Sequence, residues 1–221
     1  MPDIVGNGGV ICMRFSEPVS SVVPGLHGRI LGVLARTDRA LTGRAVAGLL
    51  HSPASPSGVQ KVLDDLVSNG VVLAEPAGRA RLYTLNRDHV AAEAIDQLAR
   101  LRDVLLQRIK AEADSWTIPA TAVWLFGSTA RGQGDADSDL DLLVVRPDSV
   151  DDSDPTWLEQ VESLAAHASL WSGNSCEVVE YSAGEIQDMI GHRARLVTEL
   201  RRDAVPIAGT SPQQALKRKA G

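Results

Sequence analysis

Three observations predict an α+β chain of two folded units joined by a long helix. The first half strings together amphipathic helical stretches and closes with two short strand-like runs on either side of Pro76-Ala77-Gly78. The second half opens with apolar, β-branched runs at 122–126 and 140–145 and then alternates helical and strand patterns, which predicts α/β character. Between the halves, residues 88–113 carry Val90, Ala94, Ile95, Leu98, Leu101, Leu105 and Ile109 as one apolar stripe. Residues 1–86 therefore hold an arm and the first unit, 87–113 the linker helix, 114–209 the second unit and 210–221 a disordered basic tail.

In chain order, residues 1–9 are expected to be loose and 10–15 to form a strand or an ordered arm. Ile30, Leu31, Val33 and Leu34 mark a helix over 26–35, and Thr42 caps a second carrying Ala45, Val46, Leu49 and Leu50. Ser55-Pro56 starts a third, with Val59, Val62, Leu63, Leu66 and Val67 inward, and Asn69-Gly70 stops it. The strands at 71–75 and 79–85 then make a hairpin wing, so the first unit reads as a winged helix-turn-helix. Ser57, Gln60 and Lys61 face outward where a recognition helix meets a major groove, and Arg79 and Arg81 on the wing suit phosphates. A partner-binding or purely structural module is the competing reading, because Asp64 and Asp65 would repel DNA if they faced it. The long stripe wants a partner: the first unit, the second unit or its mate in a homodimer.

Charge divides along the same line. The first 110 residues carry 13 Lys and Arg against 10 Asp and Glu, and the remainder 9 against 18, for a net charge of −6. Cys12 and Cys176 fall in different units, so neither a disulfide framework nor a zinc pattern is expected, as suits a reducing cytoplasm. His27, His51 and His89 lack metal-ligand company. No apolar run approaches membrane-spanning length, and the N-terminus lacks the charged-then-apolar pattern of an export signal.

The chemistry concentrates in Gly127-Ser128-Thr129-Ala130-Arg131-Gly132 and Ser138-Asp139-Leu140-Asp141-Leu142. Ala122 to Phe126 is a strand running into the Gly-Ser turn, where Gly127 lets the backbone approach a ligand and exposed amides with the Ser128 hydroxyl can cradle phosphate. Arg131 either reaches the phosphates or is solvated, and Ser138 reads as a turn cap rather than a reacting group. On the second strand, alternation places Asp139 and Asp141 on one face, a pair that suits Mg²⁺ bridging to substrate phosphates. Downstream, Asp154-Pro155 starts a helix bearing Leu158, Val161, Leu164, Ala165 and Ala168, and Gly173 ends it. A strand at 176–181 follows, then a Ser182-to-Glu185 capping box opening one helix through Leu200, and a terminal edge strand at 204–208. Arg193, Arg195, Arg201 and Arg202 read as a solvated helix face, and Lys217-Arg218-Lys219 as a basic terminus.

The Gly-Ser-x-Ala-Arg-Gly turn with a Ser-Asp-x-Asp-Leu strand resembles the polymerase β-like nucleotidyltransferase superfamily, most closely its minimal branch. That resemblance implies a domain with a mixed sheet that binds a nucleoside triphosphate, ATP or another, with two Mg²⁺ ions held by three carboxylates. It assigns Gly127, Ser128, Arg131 and Ser138 to the nucleotide and Asp139 and Asp141 to the metals. Aligning the acid-then-Val-Val pattern places Glu177 as the third catalytic carboxylate, where the family usually has aspartate. Glu180 competes, but its odd spacing turns it to the other face.

A winged unit ahead of such a domain implies a cytoplasmic nucleotidyltransferase with attached DNA binding, antitoxin-like or defence-linked, whose acceptor is a protein, a transfer RNA or a small-molecule hydroxyl. The alternatives are a DNA-binding regulator whose second unit only senses nucleotide, and a partner-binding scaffold using neither site.

Overall fold

The computed structural model describes residues 12–135, 137–192 and 194–217. The 1–9 segment expected to be loose, the start of the expected 10–15 strand or ordered arm, Arg193 and the tail residues Arg218 and Lys219 lie outside the described residues.

The N-terminal unit runs α1 (Gly25–Ala35), β1 (Leu41–Thr42), α2 (Gly43–Leu49), α3 (Pro56–Ser68), β2 (Val72–Ala77) and β3 (Ala80–Leu85). Thr42 caps α2 by accepting from the Ala45 amide at 3.2 Å, and Ser55 caps α3 by accepting from the Gly58 amide at 3.1 Å. The strands form an antiparallel sheet in the order β1-β3-β2, with Val72 opposite Leu85 and Ala77 opposite Ala80. Pro76 is tolerated because β2 is an edge strand. Ile30, Leu34, Val46, Val59, Leu63 and Tyr83 are buried at the centre.

The linker departs from the single helix expected over 87–113. It is two helices, α4 (Ala92–Ala99) and α5 (Leu101–Asp114), with Arg100 outside helical geometry between them. The stripe serves two cores. Ile95 and Leu98 pack into the N-terminal unit, whereas Leu101, Leu105 and Ile109 pack into the C-terminal one. Burial on two bodies outweighs the few hydrogen bonds lost at the break. Val90, which precedes α4, is fully exposed, and Ala94 is exposed as well.

The C-terminal unit is built from β4 (Ala122–Phe126), α6 (Gly127–Ala130), β5 (Leu140–Arg146), α7 (Pro155–Ser172), β6 (Cys176–Ser182), α8 (Ala183–Gly191), α9 (Arg195–Asp203), β7 (Val205–Gly209) and α10 (Pro212–Ala215). Its four strands lie in the order β6-β5-β4-β7, a mixed sheet in which only β5 and β6 run parallel, joined through α7. Asp154 caps α7 by accepting from the Thr156 and Trp157 amides, and Gly173 closes it at φ 78°. Trp157 rather than Leu158 turns inward, and Leu158 is exposed. The helix expected from Ser182 through Leu200 is instead α8 and α9.

Both faces of the sheet are covered, so β4 and β5 are apolar at nearly every position. Val123, Leu125, Leu142 and Val144 pack on α5 and α7, while Trp124, Leu143 and Val145 pack on α8 and α9. Over its described residues the arm does not fold as a strand, and its apolar side chains do not pack into the unit that follows it. Met13 and Phe15 are buried in the C-terminal core instead. The tail expected to be disordered from 210 carries α10, and Leu216 buries against the α8 and α9 face, its carbonyl accepting from Arg201 at 2.6 Å. Among the described residues no helix is long and apolar enough to cross a membrane.

Leu142 is fully buried in the central strand, so Leu142→Ala is expected to destabilise the protein by about 2–5 kcal/mol. Urea unfolding measures it as a lowered midpoint at unchanged slope; a loss below about 1 kcal/mol would place this side chain outside the well-packed core.

Candidate active site

Backbone register sets the mouth of the sheet. Phe126, the last residue of β4, lies opposite Asp141, and Asp141 lies beside Glu177 of β6. Asp141 shares its face with Leu143 and Val145, under α8 and α9, and Glu177 shares that face with Tyr181. Glu180 falls on the opposite face, where it accepts from Arg146 Nε at 2.6 Å. Asp139 sits in the loop one residue before β5 and is exposed, as is Glu177; Asp141 is half-buried.

Electrostatics link the three acids. Burial, then the charges of Glu177 and Asp139, push the Asp141 carboxyl above its ordinary value, and Arg131 opposes them. The neighbouring Cys176 thiol is pushed up to about 12 by burial and by the charges of Asp141 and Glu177, so it is protonated and not nucleophilic at neutral pH. Among the described residues no three His, Cys, Asp or Glu side chains stand together as a ready metal cage.

Gly127 makes the turn at the end of β4, with φ +72°, and a Cβ there would overlap the Asp141 carboxylate. Only glycine lets the acid lie against the main chain. Ser128 is half-buried and its carbonyl accepts from the Gln133 amide at 3.1 Å. Arg131 caps the short α6, donating from Nε to Gln133 at 3.0 Å and from one terminal nitrogen to Asp203 at 3.2 Å. Ser138 exchanges hydrogen bonds with Asp135 at 3.0 Å, accepting from its amide and donating to its carboxylate, as a turn cap does.

Sequence reasoning missed three residues that hold this loop. Thr129, fully buried, donates to the Asp139 carbonyl at 2.9 Å. Asn174, 2% exposed, accepts from the Met13 amide at 2.9 Å and donates to the carbonyls of Met13 and Ser138 at 3.3 and 3.0 Å. Asp203 holds Arg131. Thr129 stood inside the motif, where its position in the Gly-Ser-Thr-Ala-Arg-Gly turn was the one usable signal. Asn174 and Asp203 carry no local signal for this role, since the residues they hold here, Ser138 and Arg131, are far away in sequence.

Of the residues expected to meet DNA, Gln60, Arg79 and Arg81 line a cavity of about 490 Å³ between α2, α3 and the hairpin, together with the unforeseen Arg44, whereas Ser57 and Lys61 do not line it. Ser57, Gln60 and Lys61 are exposed on α3, but Arg79 falls in the turn rather than on β3 with Arg81. Asp64 also belongs to this face, accepting from Arg81 at 2.9 Å and Gln60 at 3.0 Å, and Gln60 donates to Tyr83 at 2.8 Å. Asp65 pairs with His27 at 2.9 Å.

Residues 102–206 match the nucleotidyltransferase domain family. With the mixed four-stranded sheet, this makes the C-terminal unit a nucleotidyltransferase domain. Similar solved structures include a toxin-antitoxin with AMP-PNP, at 18% identity and TM-score 0.33, covering 51% of this chain and 80% of that one. A mutant of the toxin-antitoxin MntA-HpeT stands at 16% identity and TM-score 0.34, covering 50% and 78%. TrmBL2, an archaeal chromatin protein, stands at 13% identity and TM-score 0.29, covering 86% and 77%. No curated protein matches the chain in sequence.

Asp141→Asn is expected to raise the melting temperature at pH 7 without divalent cations, because it removes an ionised carboxylate that burial and two like charges disfavour. A carboxyl whose folded pKa is raised lowers native stability progressively as pH climbs from the unfolded value through the folded one, so the gain should close as pH falls below both. Thermal melts across acid pH read this directly, and a variant less stable than wild type at pH 7 would refute the repulsion.

Proposed function

We propose that the nucleotidyltransferase domain at 102–206 transfers a nucleoside monophosphate from a nucleoside triphosphate to an acceptor hydroxyl, with pyrophosphate leaving. The observation that carries this reading is the alignment at the mouth of the sheet. A carboxylate pressed against a Gly-Ser turn lies in register with a second acid on the next strand. Three mutually repelling carboxylates with only oxygen donors fit a hard divalent cation such as Mg²⁺, and Asp139, Asp141 and Glu177 would hold it. When bound, one or two such ions supply Lewis-acid activation of the acceptor hydroxyl and neutralise triphosphate charge. The chain's own groups position the substrate. Amides after Gly127 and the Ser128 hydroxyl cradle phosphate, Arg131 adds positive charge, and the Ser138 turn sets the approach of Asp139. ATP is the reference substrate, and the acceptor classes are a partner protein, a transfer RNA or a small molecule.

The N-terminal unit is proposed to be a winged helix-turn-helix that binds DNA, making the protein an antitoxin-like or defence-linked regulator. The order of three helices and an antiparallel hairpin supports this, as does the arginine-lined cavity beside α3. The second reading is a regulator whose C-terminal unit binds nucleotide without turnover. Glu177, longer than the aspartate usual in the superfamily, favours it.

In calorimetry, wild type is expected to bind ATP with Mg²⁺, and an Asp139→Asn, Asp141→Asn double variant to lose that binding while staying folded. Transfer of label from an α-labelled triphosphate to partner protein or transfer RNA should fall by about 2–4 kcal/mol of transition-state stabilisation in either single variant. Nucleotide bound with no label on any acceptor would select the sensor. Unchanged binding by the double variant would overturn the site.

DNA affinity should weaken steeply with salt, and Arg79→Glu, Arg81→Glu should lower the log-log salt slope by about 2. Filter binding on the protein's own promoter region measures this, and no affinity at low salt would make the N-terminal unit a partner-binding module.

A further inference from the structure

The register that gathers the acids also brings the end of α9 to the same corner of the sheet. Val205 of β7 lies opposite Leu125, one residue before Phe126, and Phe126 lies opposite Asp141. Asp203, two residues before Val205, therefore arrives beside the Gly127 turn although 62 residues separate it from Asp141. α9 is anchored there by Val197 and Leu200, buried against the face that carries Trp124 and Leu143.

Asp203 is 11% exposed and its Oδ2 accepts from two arginines: Arg131 at 3.2 Å and the adjacent Arg202 at 2.7 Å. Arg131 is tied on its other side to Gln133 Oε1 at 3.0 Å. The long, flexible Arg131 side chain is thus held at two points, one local and one supplied by the last helix of the domain. A guanidinium fixed in advance loses less rotamer freedom when a phosphate docks than one that must be immobilised at that moment.

We propose that Asp203 is a positioning residue for triphosphate binding, holding Arg131 beside the acid pair so that its charge is in place before the nucleotide arrives. This rests on the nucleotidyltransferase reading above. Asp203 touches no phosphate itself and acts only through Arg131. Arg202, 64% exposed, balances the Asp203 charge, so the carboxylate remains paired when Arg131 engages a phosphate oxygen. A triphosphate, with its closely spaced negative charges, gains more from this arrangement than a monophosphate.

The test is a double-substitution cycle read by calorimetry with AMP-PNP and Mg²⁺ on the full chain. Asp203→Asn is expected to weaken binding about tenfold and to change AMP binding by less than about twofold. Arg131→Ala should weaken AMP-PNP binding by a similar factor, and adding Asp203→Asn to it should change nothing further. Asp203→Glu, which keeps the charge, should recover part of the loss. Circular dichroism and melting temperature are followed for each variant, and Asp203→Ser replaces any that fails to fold. Wild-type affinity in Asp203→Asn, tighter binding, or losses that multiply in the double variant would each overturn the proposal. Absence of AMP-PNP binding by wild type would instead overturn the nucleotidyltransferase reading on which it rests.

Discussion

The contact between the Asp141 carboxylate and the backbone of Gly127 organises the C-terminal unit. It exists because β4 ends at Phe126, directly across from Asp141, and because the next residue has no Cβ to occupy the space and a backbone turned to positive φ. Moving either strand by one residue would invert the faces, sending Asp141 toward the α5 and α7 core and a leucine to the mouth. The fully buried run from Leu142 to Val144 makes such a slip costly. Core packing therefore sets the position of the acid.

Holding that acid beside two others is unfavourable. Asp141 is half-buried with Glu177 and Asp139 raising its proton affinity, and Arg131 acts on it in the opposite direction. The surrounding structure compensates by tying the loop down with neutral hydrogen bonds. Thr129 holds the Asp139 carbonyl, Asn174 holds the Ser138 carbonyl, and the Leu140 amide donates to the Ser175 carbonyl at 2.8 Å. Buried neutral groups can rigidify a charged site without adding charge to it.

The same loop joins the two units. The Ser16 amide donates to the Gly134 carbonyl at 3.0 Å, and Phe15 packs against Gly134. One residue later, Glu17 turns into the N-terminal unit, where its carboxylate accepts from Arg29 at 3.0 Å and from the His51 amide at 3.1 Å. Arg36 reaches back to the Ser16 carbonyl at 3.3 Å. Five residues of arm, 13–17, thus run from the core of one unit to the polar edge of the other, a non-covalent connection alongside the covalent one through α4 and α5.

The sequence by itself determined what depends on neighbouring residues. Caps at Thr42, Ser55, Asp154 and Ser182, the C-cap at Gly173, the Gly127 turn and the alternation that separates Glu177 from Glu180 are all properties of short segments, and each was legible. Tertiary structure decided what depends on distant partners. A continuous apolar stripe over 88–113 cannot reveal that its two ends face different cores, and so the break at Arg100 was hidden. The arm's Met13 and Phe15 look the same whether they pack nearby or across the chain, and Asn174 and Asp203 gain their roles only when sheet register brings them to Ser138 and Arg131. Local rules act over a few residues, whereas a hydrogen bond spanning 72 positions exists only once the sheet has closed.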